Sequence, residues 1–359
     1  MEKKEWNSEL NKYIKLGEPS RVVKTKSWKT AIGLQEVDNL KPSEYLIQNI
    51  REHIEGNIDL PEVEKRIKKY YKAVDKRKQE DESDTEEADK VSIQISSILS
   101  EKSFTFSPLE LVSIHKRLFS DVYSHAGKIR DYDFIKEEWV LNGDTVTYAP
   151  YEMINAELKY DFEVEKEFSY KEIPFDKAIK HIARFTSNIW QVHPFSEGNT
   201  RTVAVFIIKY LKTFGFDINY EVFVNNSWYF RNALVRANYN NYEKNIFEDI
   251  SFLEKFFYNL IGGKKYELKN RYVHMDNVNN SDVSFNEDIT IEEQAIINVI
   301  KNNASVSQED IANIIGKSVR TIKSRMSVMQ EKGLITRTNG KRDGKWIVND
   351  VNNISESVL

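Results

Sequence analysis

Apolar residues recur at helical spacing through most of the chain, and the period rarely switches to two. In FDKAIKHIARFTSNIWQV, Ile179, Ile182, Phe185 and Ile189 share one face of a predicted helix. In RTVAVFIIKYLKTF, the same spacing returns with Val203, Phe206, Ile207, Tyr210 and Phe214. Pro194 ends the first of these helices, because it lacks a donor and restricts the residue before it. A short loop therefore joins two buried helices. Further toward the N-terminus, LPEVEKRIKKYYKAV reads as helix. Between the two regions, DYDFIKEEWVLNGDTVTYAP reads as a β-hairpin turning at Asn142-Gly143. The C-terminal stretch has its own pattern. EEQAIINVIKNN is helical; Ser307 caps a second helix that stops at Gly316; VRTIKSRMSVMQEKG forms a third, closed by Gly333. LITRT and KWIV then pair around a turn at 339–344.

Composition narrows the classes. With 359 residues, 40% hydrophobic and 12% aromatic, the chain has material for packed cores in two or three domains. It has no cysteine, which excludes disulfides, Cys-ligated zinc, iron–sulfur clusters and a cysteine nucleophile. No apolar run approaches the ~20 residues of a membrane helix, and no signal peptide is legible, so the expected setting is cytoplasmic, with no membrane partner. Charge is uneven. Residues 80–89 carry seven acids and no bases, reading as a solvated linker or an exposed helix start. Residues 289–348 hold ten Lys/Arg and six Asp/Glu, a net of +4 within a chain of net −4. A polar, aperiodic run from Tyr272 to Asp288 makes a second seam. The expected organisation is a helical N-terminal segment (1–79), a central domain (80–265), a linker (266–288) and a small C-terminal domain (289–352).

The chemistry concentrates in His193-Pro194-Phe195-Ser196-Glu197-Gly198-Asn199-Thr200-Arg201. The unsatisfied amides at a helix start attract anions, and Gly198 lets a phosphate come close. Arg201 adds a permanent charge, His193 is a candidate base and Glu197 a candidate magnesium ligand. No other acids or histidines have the spacing of a tight metal site.

At these residues the sequence resembles the Fic family, whose signature is HPFx[DE]GNGRxxR. The segment His125-Ala126-Gly127-Lys128-Ile129-Arg130 is similar to that family's AGxxR, and the hairpin falls where its target-binding flap lies. The resemblance spans roughly residues 88–262. It implies a mainly α fold: a Fic-type helical bundle with a β-hairpin flap, preceded by N-terminal helices and followed by a winged helix domain. It further implies AMP transfer from ATP to a Ser, Thr or Tyr hydroxyl of a target protein or of the chain itself. In that scheme His193 is the base, Glu197 holds Mg²⁺, and Gly198, Asn199, Thr200 and Arg201 cradle the phosphates. Trp139, Val140, Thr145, Val146, Thr147 and Tyr148 would align the target. Two positions depart from the signature: Thr200 replaces its second Gly, and Ala204 its second Arg. An arginine restored at 204 is expected to reach the γ-phosphate.

Residues 28–75 are similar to the small antitoxin partners of some Fic toxins, whose inhibitory pattern is [ST]xxxE[GN]. Here the aligned stretch offers Leu34, Asp38 and Asn39, and a second partial match is Ser97 with Glu101. The C-terminal part resembles a winged helix-turn-helix, which implies DNA contacts from Arg320, Lys323 and Arg325 on the third helix and from Lys341 and Arg342 on the wing. The same scaffold also serves protein contacts. Asn232, Arg236 and Asn238 are further candidates for the nucleotide pocket, and His115 reads as a packed or solvated helix residue. The alternative function is a winged-helix regulator whose Fic domain senses nucleotide without transferring it. A homodimer is left open.

Overall fold

The computed structural model describes residues 3–73, 79–276, 289–338 and 344–349. Helices dominate, in the order α1 (Lys3–Leu16), α2 (Pro19–Gln35), α3 (Glu44–Glu55), α4 (Leu60–Ala73), α5 (Gln79–Ser100) and α6 (Pro108–Phe119). There follow α7 (Ile154–Glu167), α8 (Phe175–Val192), α9 (Asn199–Thr213), α10 (Tyr220–Arg236), α11 (Ser251–Ile261) and the single turn α12 (Asn270–Val273). The C-terminal unit is α13 (Ile291–Asn302), α14 (Gln308–Ile315), α15 (Val319–Glu331) and the strands β1 (Ile335–Arg337) and β2 (Trp346–Val348). The strands pair antiparallel, with Thr336 opposite Ile347. Among the described residues no helix is long and apolar enough to cross a membrane.

Of the two readings of the acidic run at 80–89, the helix start holds: the run opens the long helix α5. Its inner face is apolar, and Val91, Ile95 and Ile98 lie in the main core. Residue 79 is no seam in the packing. Helix α2 is buried along most of its C-terminal half, from Ser27 to Gln35, between α5 and α10. The α2–α10 approach is so close that a Cβ at Gly33 would lie 2.7 Å from the Cα of Val224. One buried cluster runs from Ala31 and Leu34 through the central helices to Met326 and Trp346, while a second fills the N-terminal helices around Trp28, Ile50 and Ile67.

The C-terminal unit forms as its caps dictate. Thr290 and Glu293 make a reciprocal capping box on α13, and Ser307 and Ser318 cap α14 and α15. It is docked on the central helices. The amide of Phe175 bonds the carbonyl of Ile289, and Asn298 donates to the carbonyl of Ile261 at 2.6 Å. A Cβ on Gly215 would lie 2.9 Å from the Cα of Ile315. The expected linker is described only to residue 276; there the amide of Met275 bonds the carbonyl of Val140.

The segment expected as a β-hairpin takes another form. Its turn is one of 3₁₀ helix, Trp139–Leu141, followed by Asn142 in the left-handed region (φ 57°), and its flanks are extended without a strand ladder. Glu138 and Asp144 close the base through backbone bonds, but Lys136 donates to the side chain of Thr145 rather than to a backbone partner.

Candidate active site

The loop between α8 and α9 is built from both ends. His193 leaves α8 with a left-handed backbone (φ 49°), held by the Trp190 carbonyl. Gly198 turns the chain into α9 with φ 77°, and a Cβ there would lie 2.4 Å from the Phe119 ring, so conformation and space both require glycine. Asn199 ties the loop shut: its side chain accepts from the Phe195 amide (3.0 Å) and donates to the Phe195 carbonyl (2.7 Å).

Arg130 pins this loop to the flap. Buried, it donates to the carbonyls of His193 (2.8 Å), Tyr132 (2.7 Å) and Ala149, and its own amide bonds the Pro194 carbonyl. The AGxxR-like arginine is therefore committed to backbone carbonyls and to the Asp133 carboxylate at 3.2 Å.

His193 is buried in a box of aromatic rings, with Tyr148 at 4.1 Å, Trp190 at 5.3 Å and Phe134 at 5.6 Å between centroids. Burial, reinforced by the nearby charge of Lys136, holds its pKa well below the usual histidine value. The ring is therefore neutral near pH 7. Its Nδ1 lies 3.3 Å from the Trp190 carbonyl, which can only accept, so Nδ1 carries the proton and Nε2 the lone pair.

His193 lines a narrow cleft with Glu197, Gly198, Asn199 and Thr200. The opposite wall is Asp38, Lys136, Glu138 and Arg231. Thr200 fills the site of the signature's second glycine, and its hydroxyl accepts a bond from the Trp190 indole at 3.0 Å. Glu197 keeps a largely exposed carboxylate, with Lys136 Nζ at 3.9 Å.

Arg201 is engaged elsewhere. Its side chain is 2% exposed, bonds Glu87 at 2.6 Å and Gln35 at 3.1 Å, and covers the Phe119 ring. Its Nε lies 2.8 Å from Asp38 Oδ2, a charge contact in which the N–H is not aimed at the oxygen. Of the two candidate inhibitory stretches, Asp38 reaches the cleft. Glu101 is instead paired with Arg117. Ala204 is fully buried in the main core, so a guanidinium placed there would overpack the helix interface; the expected route from residue 204 to a phosphate is closed.

Other expectations are also relocated. From α10 it is Arg231 that reaches the cleft. Asn232 instead bonds Asn270, and Asn238 bonds the carbonyls of Ser187 and Leu234. Arg236 lies outside the cleft wall. In the flap, Val140, Val146 and Tyr148 are buried, Trp139 is exposed against His274, Thr145 is half-buried and Thr147 is exposed with its carbonyl bonded by Gln191.

His115 is more than a packed residue. Its Nδ1 accepts from the Gly127 amide (2.8 Å), so Nε2 carries the proton donated to the Glu197 carbonyl (3.0 Å), and its ring stacks on Phe195 at 3.7 Å. No sequence signal marked it, since only the fold brings α6 under the loop. Burial lowers its pKa to about 4, below the value of 6.5 in an unfolded chain. The unfolded chain therefore takes up the proton first. This stabilising contribution is whole above pH 6.5 and is lost as pH falls toward 4. The stability gap between wild type and His115→Gln, read from denaturant midpoints, is expected to close over that window by on the order of 3 kcal/mol. A constant gap would assign His115 a purely steric role.

On α15, Arg320 and Lys323 are exposed. Arg325, expected among the DNA contacts, is paired instead with Glu172 in the turn between α7 and α8 at 2.7 Å and with Glu292 on α13 at 3.2 Å. Lys341 and Arg342 lie outside the described residues.

Comparison with known proteins agrees with this architecture. Residues 105–211 match the Fic/DOC family, and residues 293–336 match winged helix-turn-helix DNA-binding domains. Over 108 residues the chain is 28% identical to the protein adenylyltransferase VbhT of Bartonella schoenbuchensis. That match covers 30% of this chain and 21% of VbhT, so the chain spans about a fifth of that relative's length. Among solved structures, a Fic family protein from Desulfovibrio desulfuricans aligns over 97% of this chain and 95% of its own, at 12% identity and a TM-score of 0.43. The N-terminal Fic domain of a Bartonella effector protein aligns over 51% and 85%, at 19% identity and a TM-score of 0.41. The two family matches thus identify a Fic/DOC-type region at residues 105–211 and a winged helix-turn-helix-type region at residues 293–336.

Proposed function

We propose that the chain is a protein adenylyltransferase that moves AMP from ATP to a Ser, Thr or Tyr hydroxyl of a target protein or of itself. The observation that carries this reading is His193: neutral, with its Nδ1 committed to a carbonyl and its ring on the wall of a cleft that also holds Glu197 and the amides of α9. The acceptor hydroxyl gives its proton to Nε2 as its oxygen bonds the α-phosphorus. The bond from that phosphorus to the bridging oxygen breaks, and pyrophosphate leaves. The amides at the start of α9, pre-set by Gly198 and Asn199, meet the charge that develops on the phosphate.

Magnesium fits the donors present. A single exposed carboxylate beside a phosphate cradle is what a cation taking one or two protein ligands and several phosphate oxygens uses, and among the described residues no three-carboxylate or histidine cluster competes for it. Bound there, Mg²⁺ supplies charge neutralisation; Glu197 is the residue that would hold it. Glu197→Ala is expected to lower Mg²⁺-dependent transfer by about 100-fold with the fold intact. Unchanged turnover at saturating Mg²⁺ would remove Glu197 from this role.

The winged helix is proposed to bind DNA through the exposed Arg320 and Lys323, adding a salt-dependent phosphate term. Intact-mass spectrometry after incubation with ATP, GTP, CTP or UTP tests the central proposal: a covalent AMP addition is expected with ATP. Addition of another group would change the reaction assigned. A second reading, a regulator that senses nucleotide, is favoured by the engagement of Arg201 with carboxylates. It predicts ATP binding and ATP-dependent DNA affinity with no mass added.

A further inference from the structure

The cleft has to meet a chain of phosphates, which calls for guanidinium or ammonium partners. Helix α9 offers few. Arg201 does not line the cleft; it is taken up by Asp38 behind the wall and by Glu87 and Gln35, and the next residue one turn along, Ala204, is an alanine sealed in the core. The cations that do face the cleft come from outside the loop motif. They are Lys136 in the flap and Arg231 on α10.

Lys136 stands at the mouth, beside the exposed Glu197. Arg231 is the built one. Its side chain is 12% exposed, and Nη2 meets both oxygens of Glu138 at 2.8 and 3.1 Å. Nη1 faces the Val37 carbonyl at a long 3.5 Å, and the guanidinium lies over the Trp228 ring. Glu138 is itself buried, its carboxyl pushed up by desolvation and held down by Arg231. A buried pair of this kind gains little net stability over apolar residues of similar size. It does fix a guanidinium in one orientation. Helix α10 is locally broken at Asn226 (φ −139°), one and a half turns before Arg231.

We infer that Arg231 is the polyphosphate-gripping residue of this cleft, supplying from α10 the charge that α9 lacks at position 204, with Glu138 as its positioning residue. This rests on the nucleotide reading of the site. It explains how a chain with Ala204 can still select a triphosphate: the recognition element has moved to another helix.

The test compares ATP and AMP affinities, measured by calorimetry on the full chain, with and without Asp38→Asn. Because Arg231→Gln alone would strand a buried carboxylate, the main variant is the double substitution Glu138→Gln with Arg231→Gln, and its melting temperature checks the fold. Arg231→Lys keeps the charge without the fork. Wild type is expected to prefer ATP over AMP. The double variant should lose about tenfold or more in ATP affinity while AMP affinity stays within about twofold, and Arg231→Lys should fall between. An unchanged ATP-to-AMP ratio in a folded double variant overturns the inference, as does an equal loss for both nucleotides. If neither the wild type nor the Asp38→Asn chain binds any nucleotide, the functional reading falls first and takes the inference with it.

Discussion

Replacing His193 with asparagine is expected to lower AMP transfer by about 10³-fold while nucleotide affinity changes little, in keeping with the loss of a positioned general base. Asparagine is the informative choice because residue 193 has a positive φ, which asparagine tolerates better than alanine. The substitution removes a neutral imidazole able to take a proton from the cleft wall. The depressed pKa sets the pH profile as well. The base form persists well below pH 6.5, so wild-type transfer should stay level from neutral pH into the mildly acid range. Rates measured by incorporation of labelled AMP between pH 5 and 8 decide both points. Full activity in His193→Asn would leave the cleft without its base.

Asp38→Asn is expected to raise transfer by about tenfold or more, because removing a carboxylate from the cleft wall removes a charge that repels an incoming phosphate. Asp38 lines the cleft and touches Arg201, and it ends the 3₁₀ turn Glu36–Asp38 that follows α2, a helix locked between α5 and α10. With asparagine there, Arg201 keeps Glu87 and Gln35, so the fold should survive with a modest fall in stability. The readouts are the rate of self-modification and the Kd for ATP. If both are unchanged, the Asp38–Arg201 contact is a structural pair and residues 28–75 do not restrain the site.

The helices flanking the loop, the Ser307 cap and Gly316 stop of α14, and the cluster His193–Arg201 were legible because each depends on local spacing. The cleft's far wall was not. Lys136, Glu138 and Arg231 are separated from the loop by tens of residues, and no periodicity distinguishes an arginine that faces a cleft from one that faces water. Arg231 even sits next to Asn232, which the sequence favoured, since neighbours on a helix point about 100° apart. In the acidic run at 80–89 the helix start was one of the two readings and it holds, but its buried end was not legible: Ala88 and Asp89 lie inside the run and are fully buried, Asp89 taking bonds from Ser43 and Tyr71. Arg325 was assigned to DNA because the resemblance to a winged helix put it on or near the exposed face of the third helix. Its partner Glu292 is brought near by the fold of the C-terminal unit itself, and Glu172 only by the docking of that unit on the central domain.

The continuous core has a geometric consequence for any target met on DNA. A winged helix on a flexible tether would let the cleft sweep a volume, and encounter would depend on tether length. Here Gly215 backs directly onto Ile315, Asn298 bonds the Ile261 carbonyl, and Arg325 clasps Glu172. The cleft therefore keeps a set bearing relative to α15. A duplex held by that helix would carry the cleft at a constant angle and offset, so whether a neighbouring protein is modified becomes a matter of its helical phase on the DNA as much as of its distance.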